Sequence, residues 1–173
     1  MSELEYIHDF DPVTRITASA VGKPGQRVFY IQARHERQIV SLLAEKEQVK
    51  ALSQAIEQLL EDQAESNPLL SSSDDFLPIY DMSLEEPLEP LFRVAQIRLG
   101  YDPNRDMLVL VLMGAPEEEA ESETPMSVRF SATRQQMRAL AQHASEVVAR
   151  GRRICGNCAR PIDPGGHFCP RMN

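Results

Sequence analysis

One stretch of the sequence occurs twice in degenerate form, and this repeat constrains the fold more than any other feature. Val40–Leu60 and Val128–Val148 align at an offset of 88 positions, with six identities among 21 aligned residues. In both copies apolar residues recur every three or four positions, which is typical of one face of an amphipathic helix. Each helix begins with a capping-box pattern; the pairs are Thr133 with Gln136 and, in weaker form, Glu45 with Gln48. Chance similarity between two amphipathic helices is the alternative explanation.

Three predicted strands before each helix argue against chance. Alternating or β-branched apolar residues bounded by Gly and Pro turns are the strand signal. The predicted strands are Ile16–Val21, Val28–Arg34 and Gln38–Ala44 in the first half and Arg93–Leu99, Met107–Met113 and Ser127–Ala132 in the second. One unit of about 50 residues cannot close a core alone. We therefore predict an α+β fold in which a duplicated βββα unit forms one pseudo-two-fold domain with a mostly antiparallel sheet, as one six-stranded sheet or two three-stranded ones.

Four segments make up the predicted domain organisation. Residues 1–60 form the first repeat, 61–91 an acidic, proline-containing belt, 92–150 the second repeat, and 151–173 a small zinc knuckle. The belt has nine acidic residues and no Lys or Arg, but it is richer in apolar residues than a free linker. We predict that it docks on the domain and shields Phe76, Leu77, Ile79 and Tyr80. A disordered strap that orders on a partner is the alternative.

The charge distribution bears on partners and location. The chain carries a net charge of -8, which disfavours binding to nucleic acid and to anionic membranes. No apolar run reaches the roughly 18 residues of a membrane helix. The first residues, MSELEYIHDFDP, are polar and acidic, unlike a signal peptide. We expect a cytoplasmic protein with no membrane association.

All three cysteines of the chain lie in one motif near the end of the sequence. Cys155 and Cys158 form a CxxC pair, and His167 and Cys169 follow after a Pro- and Gly-rich reversal. Four such ligands complete a tetrahedral Zn²⁺ site of the structural type and leave no open position for catalysis. A redox-active CxxC is the first alternative, although Pro161 and Pro164 prevent the helix that such a motif usually begins. Inert thiols are the second.

The ending RRICGNCARPIDPGGHFCPRMN resembles the C-terminus of a bacterial family, domain of unknown function 3090. Three further segments fit the same family: Phe10–Ala33, Glu45–Gln48 and Phe92–Leu112. The resemblance covers nearly the whole chain and implies a small cytoplasmic bacterial protein. It supplies no reaction.

No motif of the sequence points to an enzyme. P-loop, dinucleotide-binding, serine-hydrolase and zinc-protease signatures are absent from the sequence, so we assign no catalytic residue; the weak candidate is His35 on its tight loop. The first hypothesis is a non-catalytic interaction or adaptor protein that recognises another protein. The second is a small-ligand or anion-binding domain, or an unrecognised enzyme, that uses the groove between the repeats. A nucleic-acid module that uses the basic knuckle is the third and weakest.

Overall fold

A computed structural model describes residues 5–69, 80–116, 124–151, 153–162 and 166–171. These residues form an α+β fold with two helices and a large sheet. The elements are β1 (His8–Phe10), β2 (Arg15–Val21), β3 (Val28–His35), β4 (Gln38–Ala44), α1 (Lys46–Ser66), β5 (Pro90–Asp102), β6 (Met107–Gly114), β7 (Ser127–Thr133), α2 (Arg134–Ala149), β8 (Arg153–Ile154) and β9 (Pro161–Ile162). All six predicted strands and both predicted helices are present.

The main sheet has seven strands in the order β1-β7-β6-β5-β4-β3-β2. Four of its neighbouring pairs are antiparallel, whereas β1 with β7 and β4 with β5 are parallel. The sheet is therefore mixed, and the prediction of a mostly antiparallel sheet missed both parallel pairs. The prediction of six strands was also wrong, because the short N-terminal strand β1 adds a seventh.

One chain segment joins the two ends of this sheet. Residues 11–14 run from β1 to β2. Val13 N donates to Ser131 O of β7 at 2.9 Å, and Thr14 N donates to Arg34 O of β3 at 2.7 Å. Because successive residues bond to strands near opposite ends of the sheet order, the sheet must curl round on itself. Its inward-facing apolar side chains can then share one interior.

Equivalent residues of the two halves have equivalent partners within the sheet. Phe29 pairs with Ala44 in the first half, and Leu108 pairs with Ala132 in the second. Ala132 follows Ala44 by 88 positions, which is the offset of the helix alignment, whereas Leu108 follows Phe29 by 79. The lengths of the connecting loops account for the difference between the two offsets.

The helix starts are held to the sheet in matching ways. Both helices have a complete capping box. The capping glutamine of α1, Gln48, donates to Val94 O at 3.0 Å, and that of α2, Gln136, donates to Val13 O at 3.3 Å. Each glutamine closes its own helix turn and also bonds to the other half, Gln48 at β5 and Gln136 just before β2, so it ties the two halves together.

The two helices pack against each other, and one contact joins residues that the repeat alignment matches. Ser53 Oγ donates to Ala141 O at 2.8 Å, and these two residues are themselves 88 positions apart. The apolar stripes predicted for both helices pack with the inward-facing strand residues in one continuous core. The buried members of the two stripes are Val49, Leu52, Ile56, Leu60, Met137, Leu140, Ala144 and Val147. Helix α2 also packs on β2.

Part of the predicted belt lies along the outer face of β2 and β3. Gln32 Nε2 donates to Glu85 O at 2.9 Å and its Oε1 accepts from Glu85 N at 2.8 Å. Arg15 donates to the backbone of Asp81 and Ser83 and pairs with the Glu85 carboxylate at 2.8 Å. Residues 81–85 are thus docked, and Tyr80 is half-buried. Phe76, Leu77 and Ile79 lie outside the described residues, and residues 61–66 belong to α1.

Candidate metal centre

Two short strands build the C-terminal knuckle. Strands β8 and β9 pair in antiparallel fashion, and the CxxC turn lies between them. Cys155 N donates to Arg160 O, and Ala159 N donates to Cys155 O, both at 2.9 Å. Ala159 has a left-handed φ of 59°, a conformation that costs alanine about 1–2 kcal/mol. These bonds fold the CxxC turn so that both thiols point to one side.

The knuckle brings together the four side chains that the sequence predicted as ligands. The Sγ atoms of Cys155, Cys158 and Cys169 and a ring nitrogen of His167 all lie within 4.8 Å of one another. Cys155 Sγ is 3.8 Å from Cys169 Sγ, and Cys158 Sγ is 3.5 Å from His167 Nε2. A disulfide needs sulfurs about 2.05 Å apart, and the three thiols are free. Such a cluster can hold a metal ion.

The electrostatics of the cluster favour a thiolate. Backbone N–H groups of Cys158 and Asn157 point at Cys155 and lower the pKa of its thiol to about 6. The N–H of Arg171 acts in the same direction on Cys169, but burial and the neighbouring sulfurs outweigh it and raise the pKa of Cys169. Two close thiols cannot both ionise easily without a cation between them. A metal ion bound among the sulfurs would therefore stabilise their ionised form.

A large apolar side chain next to the cluster is exposed to solvent. Phe168, between the two downstream ligands, is 82% exposed. Arg160 and Arg171 are also exposed, and Arg171 donates to Asn157 O at 3.0 Å across the knuckle. Cys155 and Cys169 are buried, whereas Cys158 and His167 are half-buried.

The other histidines do not join this cluster. His35 Nδ1 lies 2.7 Å from Pro12 O and its ring stacks on Phe10, so the weak catalytic candidate has structural contacts. His143 lies on α2. It is half-buried with Nε2 3.1 Å from Ser19 Oγ, and burial lowers its pKa.

The structure also has a cationic cavity that the sequence did not predict. Arg27, Lys46 and Arg93 line one cavity of about 500 Å³ beside the start of α1. Arg27 precedes β3, Arg93 lies in β5 and Lys46 begins α1, so no local sequence pattern groups the three cations. The alignment of the two halves did contain a sign of this cationic group, because it matches Arg27 with an acidic residue, Asp106, in the second half.

The fold and the cluster together define an α+β protein with a C-terminal Cys₃His site. The chain belongs to the family described as "Protein of unknown function (DUF3090)", whose model matches residues 8–169. This confirms the resemblance found in the sequence. No curated protein and no solved structure matches the chain. Within the described residues, neither helix is long and apolar enough to cross a membrane.

Proposed function

We propose that this protein is a non-catalytic cytoplasmic interaction protein whose C-terminal knuckle is ordered by one structural zinc ion. The donor set carries the assignment of the metal. Three thiolates and one imidazole are soft to borderline ligands, which suit Zn²⁺ in a closed tetrahedral site. With Zn–S bonds of about 2.3 Å and a Zn–N bond of about 2.0–2.1 Å, such an ion sets sulfurs about 3.8 Å apart and sulfur about 3.6 Å from nitrogen. The observed 3.8 Å and 3.5 Å agree with both edges.

The body of the protein acts as a rigid support. We infer that its two βββα units arose by duplication and are related by a pseudo-two-fold axis. Two observations support this. Ser53 bonds to Ala141, its own counterpart at the offset of 88. The parallel pair of Ser41 with Pro90 also has a counterpart in Asp9 with Arg129.

The exposure of Phe168 carries the proposal of an interaction surface. A side chain between two metal ligands has little backbone freedom, so the metal would hold this ring out in solvent at a fixed position. Rigid, exposed aromatic and Arg side chains are the residue types that dominate binding at protein interfaces. The partner that fits is a protein with an apolar pocket for Phe168 and acidic residues around it for Arg160 and Arg171.

Affinity capture from the native cytoplasm tests this proposal with matched baits. Phe168→Ala removes the exposed ring, and Leu69→Ala removes another large side chain, 80% exposed on the body. A partner should be retained by the wild type and by Leu69→Ala, lost with Phe168→Ala, and released by added salt. If every captured protein binds Phe168→Ala as well as the wild type, the knuckle is not the docking surface.

A further inference from the structure

A cationic cavity lies where residues of the body meet Gly151. It has a volume of about 500 Å³ and is formed by the β2–β3 turn, the end of β4 and the start of α1. Its charged lining residues are Arg27, Lys46, Arg93 and Glu45. Glu45 is paired with Arg93 at 2.6 Å. Two cations of the lining therefore remain in excess, in a chain whose net charge is -8.

These two cations are close together. A Cβ placed on Gly151 would lie 2.9 Å from Lys46 Nζ and 3.0 Å from Arg27 Nη2. The two nitrogens are thus within about 6 Å of each other, where like charges repel. Arg27 Nη1 donates a hydrogen bond to Val147 O at the end of α2. Within the described part of the chain, no carboxylate bridges Arg27 and Lys46.

The second half of the molecule shows how such repulsion is avoided. Met107 corresponds to Val28 in the strand register, so Asp106 takes the position of Arg27. Arg134, the first residue of α2, takes the position of Lys46. Asp106 and Arg134 form an ion pair at 2.8 Å. In the first half the carboxylate is replaced by a guanidinium, which turns a neutralised pair into two adjacent cations beside a cavity.

We propose that this cavity binds a phosphate-bearing small molecule, with Lys46 and Arg27 on the phosphate and Arg93 at the rim. A phosphate monoester carries about -1.5 to -2 charges at neutral pH, which matches the two excess cations. Arg and Lys are the side chains that recognise phosphate. The cavity is larger than a phosphate group and lies in the size range of small-molecule sites, about 300–1,000 Å³. The rest of the ligand thus has room next to Val28 and Phe29.

Calorimetric titration of the full-length, metal-loaded protein with inorganic phosphate and with pyrophosphate tests the site. Both should bind, pyrophosphate more tightly. Lys46→Gln should weaken binding about tenfold or more, since a bond between charged groups is removed. Lys50→Gln is the matched control, because Lys50 is an exposed lysine one turn further along α1. It should leave the affinity unchanged.

A second variant separates binding from folding. Arg27→Asp recreates in the first half the acid–base pair of the second, so it should abolish phosphate binding while the protein stays folded. Gly151→Ala should also weaken binding, because the added methyl enters the space between Lys46 and Arg27. The proposal is overturned if the wild type binds neither anion, or if Lys46→Gln and Lys50→Gln bind as tightly as the wild type.

Discussion

Removal of the metal should unfold the knuckle and leave the body folded. No described residue after Val148 belongs to the core cluster or packs against it as a partly buried hydrophobic residue. Cys155 and Cys169 are buried outside this core cluster, and the knuckle strands have two residues each. Such a segment has no apolar core of its own, and structural zinc contributes on the order of 10–16 kcal/mol of apparent binding free energy in small domains. We therefore expect Cys158→Ser, or a strong chelator, to melt residues 153–171 alone.

The size of the effect follows from the number of residues that each part contains. Unfolding absorbs about 0.7 kcal/mol per residue near 60 °C, so the 16 described knuckle residues account for about 11 kcal/mol and the 125 described residues of the body for about 90 kcal/mol. Differential scanning calorimetry should show the main transition unchanged in midpoint, with a total enthalpy lower by about a tenth. Elemental analysis should give one zinc per chain in the wild type and in Phe168→Ala, but little in Cys158→Ser.

The pH dependence of metal binding gives a further check on the same site. Zinc must displace the protons of thiols and imidazole, so its affinity should fall as the pH drops from 8 to 6. Cys155, with its pKa of about 6, should release fewer of these protons than Cys169, whose pKa is raised. A main transition that moves down by many degrees on chelation would refute the reasoning, because knuckle and body would then form one cooperative unit. Less than half an equivalent of zinc in protein purified without chelator would refute the metal assignment.

Three further predictions concern the body. Asp106→Asn should lower the free energy of unfolding by about 1 kcal/mol at pH 7. Although burial opposes the shift, ion pairing with Arg134 holds the pKa of Asp106 below its usual value. The difference in stability from the wild type, measured by urea titration, should therefore vanish as the pH falls below about 4. Gln48→Ala and Gln136→Ala should each lower the free energy of unfolding by about 1–2 kcal/mol, since both lose a helix cap and a hydrogen bond to the other half. The two losses should agree within about 0.5 kcal/mol, and very unequal values would contradict the equivalence of the halves. Gln32→Leu removes both hydrogen bonds to Glu85 and should loosen residues 81–85, seen as faster proteolysis there. An unchanged cleavage rate would mean that the contacts of Arg15 hold the segment without Gln32.

Local structure could be predicted from the sequence because it depends on neighbouring residues. Strand β4 was placed at Gln38–Ala44 to the residue, and both capping boxes were found by their spacing. The clustering of Cys155, Cys158, His167 and Cys169 was also predictable, since CxxC and HxC spacings are short and their chemistry is specific.

Features that depend on distant residues were not predictable. The parallel pair of β4 with β5 spans the belt, and its partners share no local pattern. His143 aligns with Ala55 of the first helix, so the repeat gives no sign of its contact; only the packing of α2 on β2 brings it to Ser19. The cationic cavity was missed for the same reason, as Arg27 and Lys46 are 19 positions apart and meet only through the fold.

The three-residue strand β1 has a consequence for how the chain behaves in concentrated solution. It pairs with Val128, Arg129 and Phe130 of β7, and Val128 and Phe130 are fully buried. Without β1, the unpaired N–H and C=O groups of an apolar strand would face solvent, which is the template for edge-to-edge aggregation. A chain cut before Val13 should therefore associate through β7 into light-scattering aggregates. His8–Phe10 thus protects the solubility of the protein as well as completing its sheet.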